Sequence, residues 1–441
     1  MVRIREWLSA GTVAALGVSE FRVHILGIAL PAVYLLAAVW LVSSVTGVRR
    51  GLFGRNRTLE AETIRILWVL IGLLALYALD FVRTDGDPRV MQLALKQALG
   101  CTVFLYFSMV ELSPRSLVCA LAAISSAIVG FYVYNSLIVL GSPYLANHLE
   151  EVTQEGRNQL AMYLAATTTV LLFALIVESS RVTRYLVLAP ALVLHAMALA
   201  YSMSRGAWVA FAVSAFAGMI GARRGRGTVV VLCLASMMVV GSFVLVKGGL
   251  AVGALGDAVE ALGERYQTLL AVQDAASGSS IGLRRSFVAN AFEDYSSSPL
   301  LGIGAEQFLS RHQYVTHNSY LQVLVENGVI GLLLFIVPIG MVMAHSARLL
   351  SQWRRAGTTA WRLPFCLGAV AIFVEMLFVN ILAGPLFFVF VGLAMNSWLG
   401  SVSSARGTGA GVGGRDRAVD RSEDQGAVSP RAGCQCLQRV R

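Results

Sequence analysis

Long apolar runs recur along most of this sequence and restrict its possible folds more than any other feature. Each run holds roughly 18 or more residues with almost no charge, enough for a helix to cross about 30 Å of hydrocarbon. The runs therefore predict an all-α polytopic membrane protein with about 11 to 12 transmembrane helices.

The candidate spans define the organisation of the chain. They are residues 23–46, 64–82, 90–110, 116–140, 159–178, 185–202, 206–222, 228–247, 319–344, 363–382 and 384–400. Residues 7–20 are short for a crossing and are expected to form either an interfacial helix or a twelfth span. The basic N-terminus lacks a small-residue cleavage site, so we expect it to be retained.

Four regions follow from these spans. We predict N-terminal transmembrane helices at 1–247, one large loop at 248–318, C-terminal transmembrane helices at 319–400 and a tail at 401–441. The tail is rich in glycine and charge and poor in large apolar residues, which predicts disorder.

The composition fits a membrane protein better than one that binds nucleic acid. Charged residues make up only 14% of the chain and hydrophobic residues 56%. The net charge of +10 comes from basic residues that cluster between spans, as they do in cytoplasmic loops. Four of the six cysteines lie in apolar spans, and Cys434 and Cys436 have no second pair or histidine nearby. We expect no structural disulfide.

The positions of the arginines predict the topology. Basic connectors occur at 48–57, 223–226 and 345–362, and the tail holds seven arginines against four acids. Six spans separate the first two connectors, two separate the next pair and two precede the tail. Because every interval is even, all four basic segments fall on one side, the cytoplasm. The large loop and the turn at 202–206 then face the periplasm.

Several polar residues collect on that predicted periplasmic face, where arginine opposes the usual charge bias. They are Arg157, Arg205, Arg284, Arg285, His317, Asn318 and Glu326. Guanidinium groups bind phosphate through paired hydrogen bonds, and imidazole suits proton transfer near neutral pH. Their convergence on one face favours a site for chemistry on a phosphate leaving group.

Each residue also has a purely structural interpretation. Arg205 would reach the lipid headgroups or cap the carbonyls of the preceding span, and Arg285 would be solvated or locally paired. Glu326 would kink the mouth of its helix with Asn327 and Gly328, or pair with an arginine. A histidine at a helix start is more often a structural hydrogen bonder than a catalyst.

The sequence favours arginines over a metal as the charge-stabilising groups. It contains no H-E-x-x-H and no Walker motif, and we expect a metal-independent site. The stretch GIGAEQF at 302–308 has too few glycines for a nucleotide site, so we interpret it as a turn where another backbone passes closely.

Three motifs together resemble the O-antigen ligase and polysaccharide polymerase superfamily. The first is S-R-G-A-W at 204–208, which begins a span. The second is R-x14-P-L-L-G-x-G-x-x-x-F, from Arg284 to Phe308, and the third is H-N-S-Y-L-Q-x-x-x-E-x-G-x-x-G-L, from His317 to Leu332. The family often has tryptophan four residues after the loop arginine, where this chain has Val288.

This resemblance implies an inner-membrane glycosyltransferase with a GT-C-like helical fold and a periplasmic active site. Such enzymes take a glycan from undecaprenyl diphosphate, and ligases transfer it to the lipid A–core oligosaccharide without a cofactor. By motif, Arg205, Arg284 and His317 are the expected catalytic residues. The remaining polar residues of that face are expected to bind substrate: Arg157, Arg285, Asn318 and Glu326.

Other functions stay open at this point. Polymerases of the same superfamily extend a lipid-linked chain, and some relatives glycosylate proteins. The single dominant periplasmic loop favours a ligase over a polymerase. A lipid or glycan transporter would want polar residues at mid-membrane depth, and the predicted spans are nearly free of charge in their interiors.

Overall fold

The computed structural model describes residues 7–11, 22–25, 28–31, 61–134, 154–202, 204–221, 280–356, 361–379, 384–396 and 399. The predicted span at 228–247, most of the predicted large loop and the tail at 401–441 lie outside the described residues.

The described chain is predominantly helical. Its elements are β1 (Arg22–Ile25), β2 (Ile28–Pro31), α1 (Ala61–Arg83), α2 (Pro88–Met109), α3 (Pro114–Tyr134), α4 (Gln154–Val177), α5 (Ala189–Tyr201), α6 (Arg205–Gly221), α7 (Ser280–Ser297), α8 (Gln307–His312), α9 (Ser319–Ala356), α10 (Arg362–Glu375) and α11 (Pro385–Met395). A π-helical segment, Thr183–Leu188, leads directly into α5.

Most of the predicted spans in the described chain coincide with these helices. Within the described residues, six segments are long and apolar enough to cross a membrane: Ala61–Arg83, Pro88–Met109, Pro114–Tyr134, Leu160–Val177, Thr183–Ala200 and Ser319–Arg355. Gly206–Ile220 and Pro385–Met395 are shorter apolar helices. The chain is thus a multi-pass, mostly helical membrane protein, as predicted.

The predicted span at 23–46 does not begin as a helix. β1 and β2 pair antiparallel instead, with Arg22 opposite Pro31 and Ile25 opposite Ile28. The β-branched Val23, Ile25 and Ile28 favour extended backbone, and proline cannot donate the hydrogen bond that a helix interior needs. The prediction of helix over residues 23–25 and 28–31 is therefore wrong.

The central helix of the bundle is α4, which is buried on all sides from residue 160 to 175. It packs against α5, α6 and α10. Gly218 of α6 lies against Phe173, and Gly368 of α10 lies against Val170. Small residues let helices approach closely in a bilayer, where burial from water does not drive them together.

The two ends of the bundle carry different polar clusters. At one end, Arg348 Nη2 donates to Glu62 Oε1 at 2.7 Å, and His345 Nδ1 lies 3.4 Å from the other Glu62 oxygen. His345 Nε2 accepts from Arg362 Nη1 at 3.0 Å, and Arg362 Nε donates to the Asn396 carbonyl at 2.7 Å. This cluster lies beside the predicted cytoplasmic connector 345–362. We call the other end, where α1 and α10 finish and α9 begins, the site end.

A break in α9 shapes the site end. Gly328 has φ 64° and ψ −166°, so the helix is interrupted there. In an unbroken helix the Val329 and Ile330 N–H groups would bond to the carbonyls of Val325 and Glu326. They donate instead to the carbonyls of Pro299 (3.0 Å) and Leu300 (3.3 Å).

The loop that precedes α8 completes this exchange. Residues 299–305, which we call the crossing loop, pass over the break in α9. The Ile303 N–H donates to the Val325 carbonyl at 3.0 Å, and the Gly304 N–H donates to the Glu326 carbonyl at 2.9 Å. All four backbone groups that the break exposes thus find partners in the crossing loop. Irregular backbone at membrane depth requires such partners.

Two glycines permit this close passage. A Cβ on Gly302 would lie 2.3 Å from the backbone of Glu326, and one on Gly328 would lie 2.3 Å from the backbone of Leu300. Both residues also have positive φ. The sequence-based interpretation of the stretch at 302–308 as a turn with a closely passing backbone is confirmed, as is the kink at Glu326–Gly328.

Gly328→Ala should therefore destabilise the protein by roughly 3 kcal/mol, from left-handed strain and backbone overlap together. Thermal unfolding of the purified protein in detergent measures the effect. Gly340→Ala is the matched control, because Gly340 lies in the same helix with nothing within 4 Å of the added Cβ. Equal melting temperatures for the two variants would contradict the proposed interlock.

Candidate functional site

Asp80, near the end of α1, holds the crossing loop in place. Its side chain is fully buried, and its Oδ1 accepts from Arg83 Nη1 at 2.8 Å. Oδ2 accepts from the Ala305 backbone N–H at 3.1 Å and from Asn327 Nδ2 at 2.8 Å. Arg83 in turn donates to the carbonyls of Leu301 and Gly302. The ion pair between Asp80 and Arg83 thus binds both the crossing loop and the broken helix α9.

Glu326 supports the same loop from the other side. Its side chain is buried, and its Oε1 accepts from Gln322 Nε2 at 2.5 Å. The backbone N–H groups of Glu306 and Phe308, at the start of α8, lie close to this carboxylate. These groups have no partner within the helix itself. The contacts support the structural interpretation of Glu326 and give no support to a substrate-binding role.

Asn318 and Ser319 fix the start of α9. Asn318 Oδ1 accepts from the Leu321 N–H at 3.0 Å, which is an N-cap contact. The Ser319 N–H donates to the carbonyls of Met376 (2.9 Å) and Val379 (3.1 Å), and its hydroxyl donates to Val379 at 2.8 Å. The turn before α9 is thereby bound to the end of α10. The capping contact accounts for Asn318 without a substrate.

His317 lies in this turn, half-buried and with φ 52°. Its ring centroid is 5.8 Å from that of Phe287 in α7, at an interplanar angle of 33°. Phe287 also stacks on Tyr314 at 4.0 Å. A positive φ is uncommon outside glycine, although histidine, like asparagine and aspartate, adopts it more often than other residues do. A strained position of this kind motivates a functional hypothesis for the side chain.

The register of α7 separates its two arginines. Arg284 precedes Phe287 by three residues and Ala291 by seven, so it falls on the packed face of the helix. Ala291 is buried beside Phe308 and Val325. Arg285 falls on the same face as Val288, which is exposed. The side chains of both arginines lie outside the described residues.

Arg205 begins α6 at the site end. Its neighbours contact Glu375, the last residue of α10: Ser204 Oγ donates to Glu375 Oε1 at 3.4 Å, and a Cβ on Gly206 would lie 2.9 Å from the same oxygen. The side chain of Arg205 is outside the described residues, as is that of Arg157 in the first turn of α4. Their predicted roles stay predictions.

The end of α10 brings two of the three motifs together. Glu375 contacts the start of the S-R-G motif, and the following residues bind Ser319 of the H-N-S motif. The third motif, which begins at Arg284, is connected through Phe287, whose ring contacts His317.

Asp80 and Glu375 are members of this site that were not predicted from the sequence. Both are acids within or at the end of predicted apolar spans, and each is fully buried. Intramembrane acids are rare and usually functional. An acid within an apolar span is visible in the sequence and could have indicated both residues.

Acids near the site bear on the metal expectation. Asp85 and Asp87 form a D-x-D sequence in the turn between α1 and α2. Asp87 Oδ1 accepts from the Arg89 N–H at 2.8 Å and caps α2. Within the described ranges, no group of three or more histidine, cysteine, aspartate or glutamate side chains has the arrangement of a metal site.

Comparison with known families assigns the region. Residues 190–336 match the model of the O-antigen ligase family. The chain carries a domain of the O-antigen ligase superfamily. This domain includes all three motifs and extends from α5 to the broken part of α9, and it is of the type found in membrane glycosyltransferases. No curated protein matches the chain. The resemblance that the motifs indicated is confirmed, and Glu375 lies beyond the matched residues.

Asp80→Asn should destabilise the domain, because an amide NH₂ would face one of the donors that the carboxylate now accepts. Leaving a buried hydrogen-bonding group without its partner costs roughly 1–3 kcal/mol, and more when the group is charged. The melting temperature of the purified protein is the measurement. Asp85→Asn is the control, since Asp85 is exposed in the adjoining turn. If Asp80→Asn melted like the control, Asp80 would not be the anchor of the crossing loop.

Proposed function

We propose that this protein transfers a glycan from undecaprenyl diphosphate to the lipid A–core oligosaccharide, on the periplasmic face of the bacterial inner membrane and without a metal ion. The observation that carries the proposal is the meeting of the motifs at one helix end. Ser204 contacts Glu375 at the end of α10, and Ser319 contacts the residues just after it, Met376 and Val379. Phe287 of α7 contacts His317. Three segments that are far apart in sequence thus converge.

The proposed reaction is a single displacement at the anomeric carbon. A hydroxyl of the acceptor sugar attacks that carbon, a new glycosidic bond forms, and the bond to the diphosphate oxygen breaks with its electron pair. His317 accepts the hydroxyl proton or orients the hydroxyl. Arg205 and Arg284 stabilise the charge that grows on undecaprenyl diphosphate, and losing one such preplaced donor costs about 3 kcal/mol.

The register of α7 and the contacts of α9 support a division of the roles proposed from sequence. Arg284 falls on the packed face of α7, with Phe287, while Arg285 falls on the exposed face. We therefore assign the catalytic role to Arg284 and a binding role at most to Arg285. Glu326 and Asn318 hold the crossing loop and the start of α9 and so act through the residues that they position.

A reconstituted assay tests the function. Purified protein in nanodiscs is mixed with lipid-linked glycan and, separately, with the lipid A–core acceptor, a second lipid-linked glycan or an acceptor protein, with and without EDTA. Glycan on the lipid A–core in EDTA is the expected product. Elongated lipid-linked glycan would identify a polymerase, glycosylated protein would identify a protein glycosyltransferase, and no covalent product with any acceptor would favour a transporter.

His317→Asn should lower the transfer rate by about 10²–10⁴-fold, the usual contribution of a general acid–base group. Asparagine tolerates the positive φ of residue 317, so folding should be retained. Initial rates at matched protein levels measure the effect. His312→Gln is the control, because His312 pairs with Asp294 in the same segment. A normal rate in His317→Asn would return this histidine to a structural role.

Glu375→Ala should lower the rate by up to about 10²-fold, because small displacements of catalytic groups have effects of that size. Glu375→Gln keeps an oxygen that accepts from Ser204 and should recover most of the rate. The assay compares kcat and KM for both variants. Glu178→Gln is the control, a buried acid that pairs with Arg115 at the opposite end of α4. Equal activity in Glu375→Ala and wild type would contradict a positioning role.

A further inference from the structure

Three strips run along α7. Successive residues of a helix are rotated by about 100°. One strip packs against α8 and α9 and includes Phe287, Ala291 and Tyr295. A second strip is polar and exposed, with Glu293 and Ser297.

The third strip of α7 is apolar and also exposed. Val288 is 40% exposed and Phe292 is 53% exposed, and the exposed Ala289 borders them. Scattered single apolar residues on a surface need no explanation, whereas a continuous strip does. Arg285 falls on this strip by register.

Exposed apolar residues continue beyond this strip, through Leu300, to one side of α9. Leu300, three residues after α7 ends, is 66% exposed. The Leu300 carbonyl accepts from the Ile330 N–H at 3.3 Å, so Leu300 lies beside the turn of α9 that contains Ile330. This turn belongs to a candidate membrane span. Ile330 and Leu333 of that span are 42% and 58% exposed on one side of the helix. A surface of this length and composition has the bilayer as its natural environment.

We infer that α7 lies in the membrane interface, with Val288, Phe292 and Leu300 inserted at the boundary between lipid headgroups and acyl chains. The helix would then have three surroundings: protein on the Phe287 strip, lipid on the Phe292 strip and water on the Glu293 strip. Interfacial helices insert their apolar face by about 5–10 Å. A basic residue at position 285 fits the phosphates of the headgroup layer.

This placement bears on substrate binding. The diphosphate of a lipid-linked donor lies at the depth of the headgroups, and α7 would hold Arg284 at that depth. This consequence rests on the proposed function, whereas the membrane placement of α7 rests only on the exposed strip and its continuity with α9.

Depth-dependent quenching tests the placement directly. Single cysteines at 288, 292, 293, 297, 300 and 333 are labelled with an NBD fluorophore in full-length protein whose six native cysteines are replaced by alanine, and the protein is reconstituted with doxyl-labelled phosphatidylcholine. Labels at 288, 292 and 300 should be quenched severalfold more than those at 293 and 297, approaching the lipid-facing label at 333. Equal quenching at the adjacent positions 292 and 293 would overturn the inference.

A second measurement avoids the cysteine-free background. The photo-crosslinking residue p-benzoylphenylalanine replaces Phe292 or Glu293 in the otherwise native chain, in vesicles that contain radiolabelled phospholipid. Labelled protein is expected from position 292 and not from position 293. Similar labelling from both positions would show that the strip does not distinguish lipid from water. Neither experiment depends on glycan transfer, so failure of the proposed function leaves the test intact.

Discussion

The exchange of backbone hydrogen bonds between the crossing loop and the broken helix α9 is the constraint on which the site end depends. A break in a membrane helix exposes polar backbone groups that lipid cannot satisfy. Here the carbonyls of Pro299 and Leu300 and the N–H groups of Ile303 and Gly304 replace the missing partners. The loop therefore cannot move without exposing the break, and the break cannot exist without the loop. The two glycines follow from this requirement, because any Cβ at either position would occupy the space of the opposing backbone.

Buried acids reinforce this arrangement, and their partners explain why they can lie beside a site for an anionic substrate. Asp80 accepts from Arg83 and from two further N–H donors, and Glu326 accepts from the side-chain amide of Gln322. A carboxylate that is paired and hydrogen-bonded, as Asp80 is, is tolerated in a protein interior, whereas an unpaired charge is strongly disfavoured. In the proposed reaction the substrate would meet arginines on helix starts and faces, and the acids would act as anchors behind them.

The sequence predicted the helices well where apolar runs are long, as in α1, α2 and α4, because length and hydropathy alone decide those elements. It also predicted the close passage at Gly302 and the kink at Gly328, since glycine at such positions has a local reason. It did not predict β1 and β2, where the local preference of β-branched residues for extended backbone outweighs the helix that the apolar run favours. The contact of Asp80 with Ala305 joins residues 225 positions apart, and no local pattern reveals such a partner. The contact of Glu375 with Ser204 could not be predicted for the same reason, although the sequence shows that Glu375 is an acid in an apolar span.

The turn that bears His317 is held on three sides, and this decides what kind of site it can form. Thr316 donates its N–H to Gln322 at 3.0 Å, Ser319 binds the end of α10, and Phe287 covers the imidazole. The position of His317 relative to the starts of α6 and α9 is thus set by helix ends and not by a flexible loop. Charge stabilisation in a transition state requires groups that are in place before the charge develops, because reorganisation during the reaction would offset their benefit. A glycosyl transfer that depends on arginines would need this rigidity at the point where acceptor, anomeric carbon and diphosphate meet. The interlock of α9 with the crossing loop supplies it from backbone hydrogen bonds, which Asp80 and its partners hold in place.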